Sequence, residues 1–399
     1  MNKILLIEIK DTNALVILFK KTSNGWHVLL SKEYEYESDN TREIDKDNLA
    51  SFDLSWIPKM KQDVNKIIAI NKINDIFLTI NTFGTLIEVK NYDIKTTEKT
   101  TETFFNIING ELNNDGKLLL INYKLEEKTE TPLHKKLKIS YEYVNKKIVE
   151  DIKKYLETFD IRITKIISSK DAIFEALKPY MNKSKKIINI QVEDKFTSFY
   201  YLREEKLASF LKRNQGLNFI YRKIANQYKL TIDYARYLFF TFGNIPPEII
   251  KDNRIIFNGR NLIGEKIIFS KKDLSKIITF AVNDILKDII NKVRETNIND
   301  YEIVFSGQIT RLNGFEDYAK NRLNIKNVSI YKSNLVGINS TTEIIAMGSI
   351  YEIEKNINNN IMKINIKQNQ DFKLDNSFLK RKNIILMLKD KLRKYYNYI

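Results

Sequence analysis

Residues 303–315 read IVFSGQITRLNGF. An apolar run ends at Ser306 and Gly307, and Gly314 precedes a segment whose pattern predicts a helix. Because glycine has no Cβ, the backbone of a turn such as Ser306-Gly307 can approach a ligand closely. The stretch therefore predicts a strand, a turn and a helix, with the turn as part of a binding site.

Two earlier stretches each predict a strand, a tight polar turn and a second strand. They are residues 7–13, IEIKDTN, and residues 190–198, IQVEDKFTS. The segments around both turns are short, apolar and rich in β-branched residues, which is typical of β-strands. Strands are predicted at Lys3–Ile9, 14–20, 26–30, 75–80, 118–123, 136–144, 161–167, Lys186–Val192, 196–202, 206–210, 301–305 and 328–332.

Helices are predicted where apolar residues recur every three or four positions. In residues 147–159 the stripe consists of Ile148, Ile152, Tyr155 and Leu156. Residues 270–294 form the longest predicted helix, with Ser270 as N-cap and Asp273 three positions later. Shorter helices are predicted at 171–177, 217–227, 232–240, 314–323 and 341–351, and residues 63–71 fit either a helix or a strand.

The composition excludes several classes of protein. With 399 residues, of which 43 % are hydrophobic, the chain can bury a substantial core. It has no cysteine, which excludes disulfides and thiol chemistry, and its two histidines leave little room for a histidine metal site. Neither a signal peptide nor a membrane-spanning run is visible, so we expect a cytoplasmic protein.

The net charge of +16 predicts attraction to an anionic surface or partner, although a bias of the genome towards Lys-rich codons would also produce it. A nucleic-acid-binding protein is suggested by charge alone. No zinc site, RNP-like motif or helix-turn-helix is evident in the sequence, so we expect no nucleic acid among its partners.

The three turn regions together resemble the phosphate hairpins and the adenosine turn of the actin-like ATPases, and those of the FtsA family most closely, with PilM second. In that family the two hairpins have the sequence motifs Asp-Ile-Gly-Thr and Asp-Ile-Gly-Gly-x-Thr. The adenosine turn has the motif Ser/Thr-Gly-Gly-x-x-x-Leu-x-Gly. Residues 214–217, 224–225, 234–238, 242–243 and 340–348 are similar to further FtsA stretches, in the same order. The resemblance covers residues 1–354.

The resemblance implies an α/β fold, actin-like and two-lobed, with an RNase H-like sheet in each lobe. It implies subdomain 1A at residues 1–81 and 161–184, an inserted α+β subdomain 1C at 82–160, subdomain 2A at 185–215 and 299–354, and subdomain 2B at 216–298. A linker at 355–376 and an amphipathic helix at 377–399 would follow.

The nucleotide site that the resemblance implies is degenerate. Glu8 and Gln191 replace the aspartates of the two hairpins, and Lys10, Glu193 and Asp194 replace their glycines. Two carboxylates in the second turn would repel phosphates unless a cation intervenes. At the adenosine turn Gln308 replaces the second glycine, and the ribose-gripping Glu and Lys become Arg236 and Phe239.

The family residues that transfer as nucleotide contacts are Gly307, Gly314, Thr12 and Thr197. ATP and Mg²⁺ are the cofactors that the family implies. The departures predict that ATP hydrolysis is lost, and a working ATPase with divergent phosphate loops is the alternative.

The last residues, 378–399, read FLKRKNIILMLKDKLRKYYNYI. An apolar stripe with aromatic residues opposite a basic arc predicts a helix that lies in an anionic membrane surface. The membrane-binding residues would be Ile384, Ile385, Leu388, Leu392, Tyr395, Tyr396, Lys380, Arg381, Lys382, Lys389 and Arg393. The alternative is a helix that docks on its own domain or on a partner. FtsA is similar in ending with a linker and a targeting helix.

The resemblance therefore implies an adaptor on the inner face of the cell membrane at the division site, which tethers FtsZ and polymerises into filaments. The short acidic tail of FtsZ would bind subdomain 2B. Basic residues there offer a docking surface, although a solvated charged face is the simpler explanation: Arg260, Lys266, Lys271, Lys272 and Lys276. A PilM-like scaffold of a membrane machine is the alternative function.

Overall fold

The fold was analysed in a computed structural model. The structure describes residues 3–10, 13–23, 25–35, 56–71, 73, 75–80, 85–95, 118–132, 134–158, 160–181, 184–294, 301–325, 327–333 and 343–358. The chain divides into two compact units, Met1–Glu352 and Ile353–Ile399. All the sheets described below belong to the first unit.

The first sheet has five strands in the order β3-β2-β1-β4-β8. They are β1 (Lys3–Ile9), β2 (Asn13–Thr22), β3 (Gly25–Glu35), β4 (Ile76–Ile80) and β8 (Lys165–Ile167). β1 pairs antiparallel with β2, from Lys3 opposite Lys20 to Ile9 opposite Ala14, and parallel with β4. β1 is buried from Ile4 onwards, as expected for a central strand that is covered on both faces and is apolar except for Lys3 and Glu8.

An antiparallel sheet lies between β4 and β8 in the chain, with the order β5-β7-β6. Its strands are β5 (Thr85–Lys95), β6 (Leu118–Glu130) and β7 (His134–Asn145). Helix α1 (Trp56–Asn71) precedes β4, and α2 (Lys146–Glu157) and α3 (Ser169–Met181) follow β7. The side chain of Asn145 caps α2 by accepting hydrogen bonds from the backbone N–H groups of Lys147 and Ile148.

A buried carboxylate ties this antiparallel sheet to helix α3. Glu142 of β7 accepts hydrogen bonds from the hydroxyls of Ser168 and Ser169 at 2.5 and 2.6 Å. It also accepts from the backbone N–H of Ser169 at 3.2 Å and of Lys170 at 3.1 Å. These N–H groups belong to the first turn of α3 and lack partners within the helix, so Glu142 acts as its cap.

The second sheet repeats the order of the first, as β11-β10-β9-β14-β15. Its strands are β9 (Lys186–Val192), β10 (Thr197–Arg203), β11 (Lys206–Arg213), β14 (Glu302–Ser306) and β15 (Val328–Ile330). β9 pairs antiparallel with β10 and parallel with β14, as β1 does with β2 and β4. The duplicated topology therefore places the β1–β2 and β9–β10 turns at equivalent ends of two sheets.

Helices and one hairpin cover the second sheet. The helices are α4 (Leu217–Tyr228), α5 (Ile232–Phe242), α6 (Lys271–Arg294) and α7 (Phe315–Leu323). The hairpin consists of β12 (Ile255–Arg260) and β13 (Lys266–Ser270). The last described element of the chain is helix α8 (Ile344–Asn358). The predicted cap of α6 is confirmed, because Ser270 Oγ bonds Asp273 Oδ2 at 2.6 Å and accepts from the Asp273 N–H at 3.3 Å. Among the residues that the structure describes, no helix combines the length and apolarity that a membrane span requires.

Most predicted elements are confirmed, and several details differ. Residues 63–71 belong to a helix that begins at Trp56. The strand predicted at 161–167 is only Lys165–Ile167. Tyr155 is 37 % exposed and lies off the buried face of α2, where Val149 takes its place beside Ile152. Strand β5 and the hairpin β12–β13 were not predicted.

Candidate functional site

The turn after β1 buries two opposite charges. Glu8 and Lys10 are two residues apart in an extended segment, so their side chains project to the same side. Only 2 % of Glu8 and 3 % of Lys10 are exposed. The ammonium group of Lys10 lies 3.7 Å from Glu33 Oε1 of β3, and the Lys10 N–H donates to the Asn13 carbonyl at 2.9 Å to close the turn.

Carboxylates surround Lys10. Burial disfavours its charged form, but the nearby negative charges outweigh burial and raise the pKa of Lys10; they belong to Glu8, Glu33, Glu343 and Glu193. Burial raises the pKa of Glu8 to about 7, against the opposing charge of Lys10. The site therefore holds a buried ammonium whose counter-charges come from both sheets and from the residue before α8.

The turn after β9 presents two acidic residues. The Glu193 N–H donates to the Phe196 carbonyl at 2.9 Å, and the Glu193 carboxylate accepts from Gln191 Nε2 at 3.0 Å. Asp194, which is buried, accepts a hydrogen bond from the Tyr221 hydroxyl at 2.9 Å. Arg236 Nη2 of α5 lies 3.2 Å from the other oxygen of Asp194. The cation that this turn needs is therefore a side chain of the chain itself.

The first N–H groups of helix α4 are also engaged by this turn. Leu217 N–H donates to the Glu193 carbonyl at 2.9 Å, and Asn218 N–H donates to the Asp194 carbonyl at 2.8 Å. Gly216 permits this contact, because a Cβ there would lie 2.2 Å from the Glu193 carbonyl oxygen. Free N–H groups at a helix start commonly bind phosphate. Here backbone carbonyls take two of them, and Glu193 and Asp194 add negative charge, so these residues do not fit a phosphate group.

Gly307 lies against the end of β9. Its φ is +84°, and a Cβ would lie 2.5 Å from the Val192 carbonyl oxygen. Val192 pairs in the sheet with Thr197, so the structure brings the predicted site residues Gly307 and Thr197 together. The Thr197 hydroxyl donates to the Gln215 carbonyl at 2.6 Å.

Gly314 lies apart from that group. Its φ is +83°, and a Cβ would lie 1.9 Å from the Ile245 carbonyl oxygen. The close packing of the backbone thus requires glycine at 314 independently of any ligand. Thr12, the fourth predicted nucleotide contact, lies outside the described residues.

Aromatic and basic side chains cover the segment next to Gly307. The guanidinium groups of Arg236 and Arg311 lie 6.0 and 4.9 Å from the ring centroid of Phe240. Arg311 also donates to Gln308 Oε1 at 3.3 Å. Sequence reasoning identified Arg236 only as a departure from the family; nothing in the sequence indicated its ion pair with Asp194.

The predicted partner-binding residues lie on one part of the second lobe, the lobe that contains the second sheet. Arg260 and Lys266 face each other across the β12–β13 hairpin, and Lys271, Lys272 and Lys276 lie at the start of α6. Four exposed apolar residues accompany them, a feature that the sequence analysis missed with the hairpin; they are Ile255, Leu262, Ile263 and Ile268. This hairpin surface can bind a partner that is both acidic and apolar.

The predicted membrane-binding residues, from Lys380 to Tyr396, all lie outside the described residues. Within the described part of the chain, no group of three or more His, Asp or Glu side chains has the arrangement of a metal site.

Comparison with known proteins supports the fold. No protein-family model matches the sequence, and no curated protein matches it. A chain of the PilM–PilN type IV pilus biogenesis complex superimposes with a TM-score of 0.63 at 9 % identity, over 87 % of this chain and 97 % of that chain. MreB5 of Spiroplasma citri bound to AMPPNP has a TM-score of 0.51 at 11 % identity, over 90 % and 99 %.

MreB5 bound to ADP gives the same TM-score, 0.51, at 10 % identity, over 90 % of this chain and 98 % of that chain. The sequence identities are low, and the similarity extends over nearly the whole length of each structure. Together with the two sheets of identical order, it shows that the chain has the actin-like ATPase fold.

Proposed function

We propose that this protein is an actin-fold adaptor that holds a partner assembly at the cytoplasmic face of the membrane without hydrolysing ATP. The observation that carries the proposal is the state of the turn at Glu193 and Asp194. Its carbonyls take the N–H groups of α4, and Arg236 neutralises Asp194. A chain whose phosphate-binding groups are engaged internally retains the surfaces of the fold for protein contacts.

If the adaptor is FtsA-like, its partner is FtsZ. The acidic FtsZ tail would bind the hairpin surface formed by Ile255, Leu262, Ile263 and Ile268 with Arg260, Lys266, Lys271, Lys272 and Lys276. Its basic residues match the charge of the tail, and its apolar residues offer buried area. Subdomain 2B, residues 216–298, would thus carry the partner, and the chain would polymerise through other faces of its two lobes.

The residues 377–399 supply the membrane contact in this proposal. Each Lys or Arg close to an anionic leaflet contributes about 1 kcal/mol, and the apolar stripe adds a burial term. The membrane would therefore be contacted from one side, at the division site.

A PilM-like scaffold is the second candidate function. The PilM–PilN complex favours it, because the superposition covers 97 % of that chain at a TM-score of 0.63. In this form the partner would be a component of a different membrane machine, and FtsZ would not bind.

A working ATPase with divergent loops is a third candidate, since MreB5 has been captured with AMPPNP and with ADP. ATP with Mg²⁺ would then bind beside Gly307 and Thr197. Calorimetric titration with ATP and Mg²⁺ distinguishes the two cases: heat of binding favours the ATPase, and its absence favours the adaptor.

Co-sedimentation with liposomes tests the proposal. The full chain and a chain ending at Asn376 are pelleted with neutral vesicles and with vesicles that contain anionic lipid, with and without FtsZ. We expect pelleting to need both residues 377–399 and anionic lipid, and FtsZ to pellet with the full chain. If the full chain pellets with anionic vesicles but the added FtsZ stays in the supernatant, the PilM-like scaffold is favoured. If both chains stay in the supernatant, the adaptor proposal is wrong.

A further inference from the structure

The turn between β9 and β10 inserts an aromatic side chain into the opposite lobe. Phe196 lies in this turn of the second sheet, yet it belongs to the apolar core of the first sheet, together with Ile9 and Ala14. Only 6 % of Phe196 is exposed. On its other side, Lys212 Nζ of β11 lies 4.7 Å from the centroid of its ring. The Phe196 side chain therefore connects the two sheets at the β9–β10 turn.

The two sheets also interact electrostatically at these turns. Lys10 belongs to the first sheet, and Glu193 of the second sheet is one of the carboxylates whose charge acts on it. Both groups are held by neighbours: Lys10 by Glu33 at 3.7 Å, and Glu193 by Gln191 at 3.0 Å. Opposite charges kept out of water attract more strongly than they would on the surface.

Contacts away from the turns hold the same two lobes. Gly348 of α8 lies directly on α3, where a Cβ would come 1.6 Å from the Ala172 carbonyl oxygen. The Tyr180 hydroxyl of α3 accepts from the Lys332 N–H, which follows β15, at 2.9 Å. The turns are therefore one end of an interface that extends across both sheets.

We propose that this protein carries an internal lock in place of a nucleotide: Phe196, inserted from the β9–β10 turn into the core of the first sheet, holds the two lobes closed at the turns. In an actin-like fold these turns face a phosphate chain and its metal ion. Here side chains of the chain itself occupy this place: Phe196 packs into the core of the first sheet, and Lys10 lies 3.7 Å from Glu33. The lock makes the closed conformation a property of the sequence, independent of ATP.

The lock concerns the lobes alone and involves neither residues 377–399 nor the hairpin surface. A failure of the lock would therefore leave vesicle pelleting and FtsZ binding unchanged. Conversely, a failure of membrane binding would leave the lock unaffected.

Hydrogen–deuterium exchange of the full chain, read by mass spectrometry, tests the lock. Wild type is compared with Phe196→Ala, each with and without ATP and Mg²⁺. Phe199→Ala serves as the matched control, because Phe199 is a buried phenylalanine of the same strand region that packs within the second lobe. Opening between the lobes exposes β1 and β9 together, whereas local loosening exposes one of them.

For wild type we expect exchange in β1 and β9 to be the same with and without ATP and Mg²⁺. Phe196→Ala should raise exchange at least tenfold in both strands, and Phe199→Ala should raise it in β9 and β10 only. If ATP with Mg²⁺ slows exchange in both strands of wild type, the lock is wrong. The same holds if Phe196→Ala changes the second lobe alone.

Discussion

The guanidinium group of Arg236 lies 3.2 Å from the carboxylate of Asp194, and this pair joins helix α5 to the turn between β9 and β10. Asp194 is buried, whereas about a third of the Arg236 side chain is exposed. Asp194 also accepts a hydrogen bond from the Tyr221 hydroxyl at 2.9 Å. The charge of a turn that would otherwise face a phosphate is thus neutralised within the chain.

Replacing Arg236 by alanine should lower the free energy of unfolding by about 2 kcal/mol. The substitution leaves the buried Asp194 carboxylate without its counter-charge, so the loss of stability exceeds that for an exposed ion pair. Solvent at the exposed side of Arg236 screens the interaction and makes the loss smaller than for a fully buried pair. Urea unfolding measures the change. Arg254→Ala, which removes an exposed arginine 3.9 Å from the exposed Asp252, is the control and should cost less than about 0.5 kcal/mol. Equal effects of the two substitutions would contradict the structural role of the Arg236–Asp194 pair.

Gly348→Ala should destabilise the protein although it replaces a glycine inside a helix. Alanine normally stabilises a helix interior by about 1 kcal/mol relative to glycine. At Gly348, however, the new Cβ would lie 1.6 Å from the Ala172 carbonyl oxygen, so α8 must move away from α3. We expect a loss of at least about 2 kcal/mol, measured by thermal or urea unfolding. Gly259→Ala meets only side-chain atoms of Phe257, at 3.3 Å or more, and should have a much smaller effect.

Glu8 should make stability depend on pH in a direction opposite to that of an ordinary salt-bridged carboxylate. Burial raises its pKa in the folded protein from 4.5 to about 7. Lys10, Glu33, Glu343 and the backbone of Ala346 are the groups that act on it, and of these Lys10 and Ala346 oppose the shift.

Between pH 4.5 and about 7 the folded protein holds the proton of Glu8 and the unfolded chain does not. The free energy of unfolding therefore falls as the pH rises through this window, and one pKa unit corresponds to about 1.4 kcal/mol. Relative to Glu8→Gln, which has no such proton, wild type should lose roughly 2–3 kcal/mol across the window. Urea unfolding at several pH values measures it, and parallel curves for the two proteins would contradict the burial of Glu8.

The exposed apolar residues of the hairpin surface should contribute to partner binding and little to stability. Leu262 and Ile263 are 68 % and 63 % exposed at the end of the hairpin. The double substitution of both by serine should weaken binding of an FtsZ tail peptide at least tenfold, which is about 1.4 kcal/mol, and leave the melting temperature unchanged. Ile70→Ser, at a residue of α1 that is 78 % exposed, is the control and should leave binding unchanged. If both proteins bind the peptide equally, the hairpin surface is not its site.

Local sequence signals predicted much of the fold. Lys3–Ile9 and Lys186–Val192 have the predicted bounds, because each is a central strand made mostly of apolar residues, interrupted only by Glu8 in the first and by Asn189 and Gln191 in the second after the initial lysine. The cap of α6 was predicted from Ser270 and Asp273 alone. Strand β5 was missed because Glu88, Lys90 and Asp93 break its apolar pattern, and the β12–β13 hairpin because its apolar residues face solvent as often as the core.

The candidate site could be predicted only in part, because its partners are distant in sequence. The sequence places Glu193 and Asp194 in a turn and shows that they differ from phosphate-binding glycines. It does not show that Arg236 reaches Asp194, or that Glu33 lies beside Lys10. Both pairings depend on how helices and strands pack, and a local pattern carries no information about such distances.

As a membrane adaptor, the protein should bind the membrane without any nucleotide, and vesicle binding tests this proposal most directly. The full chain is sedimented with vesicles that contain anionic lipid, first in nucleotide-free buffer and then with ATP and Mg²⁺. We expect the same pelleted fraction in both conditions, and loss of pelleting for a chain ending at Asn376. Pelleting that occurs only with ATP and Mg²⁺, or that persists without residues 377–399, would contradict it.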